Sequence, residues 1–171
     1  LPVLRAVRVK SAHSIRDLLA EHPFFADLAE TDLDLIAGCG HNVHFGAGQT
    51  IFEEGRSADS FFVIRRGRVG LSLHSPQAGE LLIATVGDGD VLGWSWLFPP
   101  YRWTFDARAM SETSAVVLDG ACLRAKCEED ASLGYRLMKR FAQLAQRRLQ
   151  ETRLQLVDLY GREHHGQHVS H

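Results

Sequence analysis

Apolar residues change their spacing twice along this chain, from helical to strand-like and back again. From Ser14 to Leu19 the stretch SIRDLL has helical spacing, with Ser14 as N-cap, and His22-Pro23 should break it. Phe24, Phe25 and Leu28 then form a bulky apolar patch. Thr31 is placed to cap a second helix, TDLDLIAGCG, with Asp32 and Asp34 in its positive first turn and Gly38 and Gly40 at its end. From Val43 the spacing becomes that of strands. VHF and TIFEEG come first, and SFFVIRRGRV folds back at Gly67. Runs at 71–74, 81–86, 105–110 and 114–118 follow. A loop over 75–79 and a turn over 87–90 separate the middle runs. Short strands divided by glycine turns about every ten residues predict an all-β roll or sandwich. After Asp119 the helical spacing returns, first in ACLRAKCEED and then from Ser132 to about Tyr160.

The last helix has two apolar faces. Leu137, Phe141 and Leu144 line one. Met138, Ala142, Ala145, Leu149, Thr152, Leu156 and Leu159 line the other, in an unbroken 4-3-4-3-4-3 stripe. A helix of some ~29 residues is a rod of ~43 Å at 1.5 Å per residue, too long for one small domain to cover on both sides. The first face is expected to pack on the chain's own roll. The stripe is expected to be the seam of a homodimer.

Composition adds mostly exclusions. The 171 residues suit one domain with an appendage, and 45% hydrophobic content suffices for a core. A net charge of -2 gives no bulk attraction to nucleic acid or to acidic membranes. No apolar run reaches the ~18 residues of a spanning helix. No secretory leader is recognisable in LPVLRAVRVK, so the reading is cytoplasmic and without a membrane partner. Cys39, Cys122 and Cys127 have no metal-like spacing and are expected as free thiols in a reducing compartment. Neither they nor His41 and His44 make a metal site, and no catalytic constellation stands out, so an enzyme is not expected. The organisation read from the chain is an N-terminal arm over 1–13, a β-roll with flanking helices over 14–131, the long helix over 132–161 and a flexible histidine-dense tail over 162–171.

The stretch VGDGDVLGWSWLFPPYRWTFDARA, 86–109, carries the candidate chemistry. It holds a glycine turn, a strand, Gly93, a short aromatic segment, two prolines and another strand, and all three tryptophans of the chain, Trp94, Trp96 and Trp103. Together with GQTIFEEGRSADSFFVIRRGRV at 48–69, it resembles the cyclic-nucleotide-binding domain family, the sensor half of catabolite activator-like regulators. The resemblance covers roughly Ile15 to Tyr160. It implies a mostly β fold with flanking helices, a jelly-roll-like double-stranded β-helix followed by a long dimerisation helix.

The same resemblance implies a ligand cassette in which a glutamate accepts the ribose hydroxyl and an arginine pairs with the cyclic phosphate. Aligned without gaps from Gly93 to Ala109, the glutamate position falls on Trp94 and the arginine position on Trp103. Arg102 is one residue early, which on an alternating strand places it on the opposite face. An indole donates one N–H and carries no charge. Losing charge-assisted hydrogen bonds of about 1.5–3 kcal/mol each weakens binding by orders of magnitude. The candidate pocket is therefore Gly93, Trp94, Ser95, Trp96, Arg102, Trp103 and Thr104, either self-filled or remade for a flatter, less polar ligand.

The function implied is a non-enzymatic regulatory sensor, with weakened or absent cyclic-nucleotide binding and cyclic AMP or another small molecule as the ligand to test. The alternatives are a cyclic AMP or cyclic GMP regulator that uses Arg102, and a ligand-free dimerisation or docking module with a protein partner. Direct DNA binding is not expected of this chain, because only about ten polar residues follow Tyr160 and a groove reader needs two further helices.

Overall fold

The computed structural model describes residues 13–165, with side chains to Arg162. The expected N-terminal arm and the end of the histidine-dense tail lie outside the described residues, apart from His13. The chain divides into two compact units, 1–131 and 132–171.

The first unit opens with α1 (Ile15–Ala20). Its N-cap is Ser14, in a reciprocal capping box with Asp17. A single 3₁₀ turn, Pro23–Phe25, follows the break at His22-Pro23. Helix α2 is Glu30–Ala37, and here the sequence expectation needs correction. Its N-cap is Ala29, with no side-chain cap, and Thr31 lies inside the helix. The chain has already reversed at Asp27, where φ is 66°, so the helix starts two residues early. Glu30 and Asp32 occupy the first turn, while Asp34 pairs with Arg16 of α1 at 2.7 Å.

Eight strands follow: β1 (Gly40–Phe45), β2 (Thr50–Phe52), β3 (Ser60–Arg66), β4 (Val69–Ser75), β5 (Gly79–Val86), β6 (Val91–Leu92), β7 (Asp106–Ala109) and β8 (Thr113–Asp119). They form two four-stranded antiparallel sheets, ordered β1-β8-β3-β6 and β2-β7-β4-β5. This is a jelly-roll-like β-roll, as the strand spacing and the resemblance imply. Inward residues of both sheets meet in one core, with Val43, Phe45, Phe52, Phe62, Ile64, Val69, Leu71, Leu92, Trp103 and Val117 among its buried members.

β5 departs from simple alternation. Leu81, Leu82 and Ile83 are all exposed, at 44%, 60% and 40%. The strand lies at a sheet edge, and an irregularity in its pairing at Leu71/Ser72 breaks the two-residue period there.

α3 (Gly120–Glu129) starts from Asp119, whose carboxylate accepts the Cys122 N–H at 2.7 Å. The cysteine expectation also needs correction. Cys39 and Cys122 are joined in a disulfide across 83 residues, with their Cα atoms 5.7 Å apart, and Cys127 alone is a free thiol. The reason is topological. β1 begins at Gly40 and pairs antiparallel with β8, matching Gly40 to Leu118, so the residue before β1 and the first turn after β8 share one end of the sheet. Linear spacing cannot show that meeting.

The second unit is α4 (Ala131–His165), one helix of 35 residues. It continues through 162–165, where the sequence reading begins a flexible tail. Leu133, Leu137, Phe141 and Leu144 are buried, whereas Met138, Leu149, Leu156 and Leu159 are 41%, 52%, 49% and 62% exposed. Ala142, Ala145 and Thr152 are exposed on the same stripe. Among the described residues, no helix is long and apolar enough to cross a membrane.

Candidate functional site

The cassette begins where β6 ends. Gly93 has φ 82°, a backbone conformation that side chains other than glycine's disfavour. A Cβ at this position would sit 2.7 Å from Cζ3 of Trp103 and 2.8 Å from its Cη2. The glycine thus lets an indole ring lie directly against the main chain.

Trp94 is half-buried and precedes a 3₁₀ turn, Ser95–Leu97, without capping it through its side chain. Ser95 is half-buried and Trp96 is 1% exposed. Trp96 packs near Phe61, with ring centroids 6.0 Å apart. A Cβ on Gly120 would come 2.9 Å from the Trp96 Cβ, so the first residue of α3 must be small to admit this turn. α3 also grips the turn by charge. Arg124 donates from Nη1 to the Trp96 carbonyl, and its guanidinium lies 4.4 Å from the centroid of the Tyr101 ring.

After the prolines the chain runs back beside the loop that follows β2. Gly55 N–H donates to the Trp103 carbonyl at 2.8 Å, Trp103 N–H to the Arg56 carbonyl at 2.9 Å, and Ala58 N–H to the Tyr101 carbonyl at 2.7 Å. Ser57 and Arg102 form the bridge between these segments. This short ladder fixes which residues of 101–104 face inward. Trp103 is 4% exposed, whereas Arg102 and Thr104 are exposed. The Arg102 guanidinium donates to the Gly55 carbonyl at 2.8 Å.

Inside the roll, Trp103 stacks on Phe52 with centroids 3.8 Å apart and planes 10° from parallel. Phe62 lies 6.3 Å from the same indole, and Phe105 5.7 Å from Phe52. Phe45 extends the group, 6.2 Å from Phe62. The interior beside Gly93 is thus made of neutral rings. The charged side chains of the neighbouring loop, Glu53, Glu54 and Arg56, are exposed, and Arg56 lies 3.7 Å from the Glu53 carboxylate.

The structure therefore brings Gly93 and Trp103 together, sets Trp96 against α3, and places Arg102 and Thr104 outside. The alignment of the cassette alone did not find Phe52 and Phe62 as ring partners, or Arg124 as the anchor from α3. The phenylalanines had a signal: each sits on an inward position of a strand that runs next to the cassette. Arg124 had none, because its role depends on where α3 docks.

His44 pairs with Glu112, and its Nδ1 lies 3.5 Å from the Ser114 hydroxyl. This is a cross-strand surface contact between β1 and the start of β8. Among the described residues no group of three or more His, Cys, Asp or Glu side chains is placed to hold a metal ion.

Two interlocked antiparallel sheets, a glycine turn leading into a short 3₁₀ segment, and a return strand carrying DARA define a jelly-roll-like domain with a compact cassette between β6 and β7. Residues 42–130, more than half of the chain, match the cyclic nucleotide-binding domain profile, and the chain belongs to that family. It is similar to the CRP-like cAMP-activated global transcriptional regulator of Mycobacterium tuberculosis, 31% identical over 117 residues, covering 68% of this chain and 50% of the relative. The chain thus spans about half the length of that relative. It is also similar to a cGMP-dependent protein kinase of Drosophila melanogaster, at 33% identity over 78 residues, covering 45% of this chain and 8% of the kinase. Among solved structures, a putative cyclic nucleotide-binding protein from Geobacter metallireducens superposes with TM-score 0.71 and 32% identity, over 80% of this chain and 98% of that one. The Thermus thermophilus catabolite activator protein gives TM-score 0.64 and 25% identity over 81% and 63%.

Proposed function

We propose that this chain is a non-enzymatic sensor module whose cassette has exchanged its anion clamp for an aromatic plug, so that cyclic AMP and cyclic GMP bind weakly or not at all. The observation that carries this reading is Trp103, buried and stacked on Phe52 beside Gly93. A ring in that place takes up interior volume and offers a cyclic phosphate no charge. Arg102 does not replace it: its guanidinium is turned outward to the Gly55 carbonyl. The half-buried Trp94 adds a second neutral ring. A ligand admitted by such a lining would be flat and weakly charged.

The partner is a second copy of the chain. The seven-residue stripe from Met138 to Leu159 is exposed throughout, and its 4-3 spacing fits a paired helix. The module would act in the cytoplasm, passing a change in the roll to that helix pair.

A second reading is favoured by the ring stack itself: the roll holds no ligand, and the chain serves as a dimerisation or docking module. Calorimetric titration of the purified chain with cyclic AMP and with cyclic GMP tests the weakened clamp. Saturable binding tighter than roughly 10 µM, about -7 kcal/mol, refutes it. Native mass spectrometry of the same preparation then separates the two readings, because the sensor carries a co-purifying small molecule and the docking module does not.

A further inference from the structure

We propose that Cys39 and Cys122 form a reversible redox modification site, a dithiol–disulfide pair that a hydroperoxide oxidant closes, fastening α3 to the end of α2. The two sulfurs are bonded across 83 residues. One flanking helix ends two residues before Cys39, and the other begins two residues before Cys122. Reversible pairs of this kind are a known use of cysteine where the surroundings are reducing.

The two sites are chemically unequal. Cys39 is 7% exposed, so little of it is open to an oxidant from solvent. Cys122 is half-buried and lies in the first turn of α3, at the positive end of the helix. Lys126 follows it by four residues, on the same helix face. The Lys126 ammonium donates to the Leu35 carbonyl of α2 at 2.6 Å, and a Cβ on Gly38 would meet that nitrogen at 2.9 Å. A cation is therefore held between the two cysteine-bearing segments. The Asp119 carboxylate, the N-cap of α3, accepts the Cys122 N–H at 2.7 Å. Cys122 is the more accessible of the two sulfurs, which makes it the attacking group and Cys39 the resolving one.

The Cys122 thiolate attacks one oxygen of hydrogen peroxide, the O–O bond breaks, and hydroxide leaves as the sulfenic acid forms. Cys39 sulfur then attacks Cys122 sulfur, the S–O bond breaks, and the departing hydroxide takes the Cys39 proton to become water. The proton that Cys122 released on ionising converts the first hydroxide to water. Two electrons pass from the sulfur pair to peroxide. A small dithiol reverses the bridge by exchange.

The bridge bears on the cassette because α3 does. Gly120 admits Trp96, and Arg124 holds the Trp96 carbonyl and the Tyr101 ring. Cys127, near the other end of the same helix, is an internal control. Burial, then Asp130 and Glu128, push its thiol above the ordinary value.

The test uses the whole chain. It is reduced with dithiothreitol under native conditions, alkylated over time with iodoacetamide, and read by peptide mass spectrometry. A second reduced sample is treated with hydrogen peroxide, and tryptophan emission is followed in each state. After reduction Cys122 is expected to be alkylated at least about tenfold faster than Cys127 at pH 7, and peroxide is expected to restore the Cys39–Cys122 bridge. Tryptophan emission should differ between the two states in the parent and in Cys127→Ser, but not in Cys122→Ser. The proposal is overturned if peroxide leaves both thiols free, if Cys127 reacts first, or if the parent's emission is the same in both states. These measurements on the parent need no variant to fold, and none involves a nucleotide, so they stand apart from the test of the cassette.

Discussion

Replacing Trp103 by alanine should destabilise the roll more than any other single change in the cassette. The indole is 4% exposed. It stacks on Phe52 at 3.8 Å and contacts the Gly93 backbone closely enough that a Cβ there would lie at 2.7 Å. Truncating a buried aromatic residue costs about 3–5 kcal/mol, of which transfer and cavity terms make up most. The stacked pair itself contributes about 0.5–1.5 kcal/mol of such a loss. A chain of this size loses about 2–4 °C in Tm per kcal/mol, so the midpoint should fall by about 6–20 °C. Circular dichroism melts of parent and Trp103→Ala at equal protein concentration check this, with acrylamide quenching of the parent as an independent reading of burial. A midpoint within about 2 °C of the parent would refute the plug. Trp103→Arg should be at least as destabilised, because it leaves a guanidinium among neutral rings. It should nonetheless gain more from millimolar cyclic AMP than the parent does, since only the variant can pair with the phosphate.

Gly93→Ala should destabilise through both its φ of 82° and the collision with Trp103; a loss of about 1–3 kcal/mol is expected, read from urea midpoints, and a neutral result would mean that the indole does not lie where described. His22 links the helical entry to the roll: its Nδ1 accepts the Phe24 N–H at 3.2 Å, which leaves Nε2–H to donate to the Ile64 carbonyl at 3.0 Å. Burial lowers its pKa below the ordinary 6.5, against the opposing pull of the Ile64 and Asp90 carbonyls and the Asp90 charge. The unfolded chain therefore takes up the proton first, so this contribution to stability is complete above pH 6.5 and falls as pH drops from there towards the lowered value. Chemical denaturation across that range should show the parent losing more stability than His22→Gln, and parallel curves would contradict the lowered pKa of the buried imidazole. Leu149→Lys combined with Leu156→Lys changes two exposed positions of the α4 stripe and should convert a dimer to a monomer by light scattering, with the melt of the roll unchanged; a parent that is already monomeric at micromolar concentration removes the seam.

Strand spacing revealed the roll because short apolar runs bounded by glycine turns are hard to read as helices; Phe61 to Ile64 and Ala115 to Leu118 are such runs, buried at every residue and so covered on both faces. The same rule misjudged β5, where Leu81, Leu82 and Ile83 are apolar yet exposed on an edge strand whose period is broken by an irregular pairing. Thr31 misled for a local reason: a good capping residue was present, but the reversal at Asp27 had already set the helix direction. In the cassette, alignment brought Trp94 and Trp103 to the clamp positions, yet only the fold could show that Trp103 has a stacking partner fifty-one residues earlier, at Phe52. The Cys39–Cys122 bridge was illegible for the same kind of reason, since it depends on strand pairing rather than on spacing.

A charged clamp and an aromatic plug solve the same mechanical problem by different means. The return segment 101–103 is fastened on one side to 55–58 by three backbone hydrogen bonds, and the turn 95–97 is fastened on the other to α3 by Arg124 and the close approach of Gly120. Between the two fastenings lie Gly93 and the indole ring. Anything that moves that ring, whether a ligand, a substitution or loosening of the bridge at Cys122, must shift one fastening or the other, because a close-packed interior has no slack to absorb it. Backbone hydrogen bonds across the short ladder hold the first side at 2.7–2.9 Å, whereas the α3 side is held by the Arg124 side chain and the packing at Gly120. The compliant side is therefore α3. Arg124→Ala should accordingly loosen the cassette without disturbing the sheets: faster hydrogen exchange at 95–101 and at the start of α3, with β3 and β8 protected as in the parent. Exchange that rises equally through β3 and β8 would show that the cassette and the roll open as one, and the division of labour between the two sides would fail.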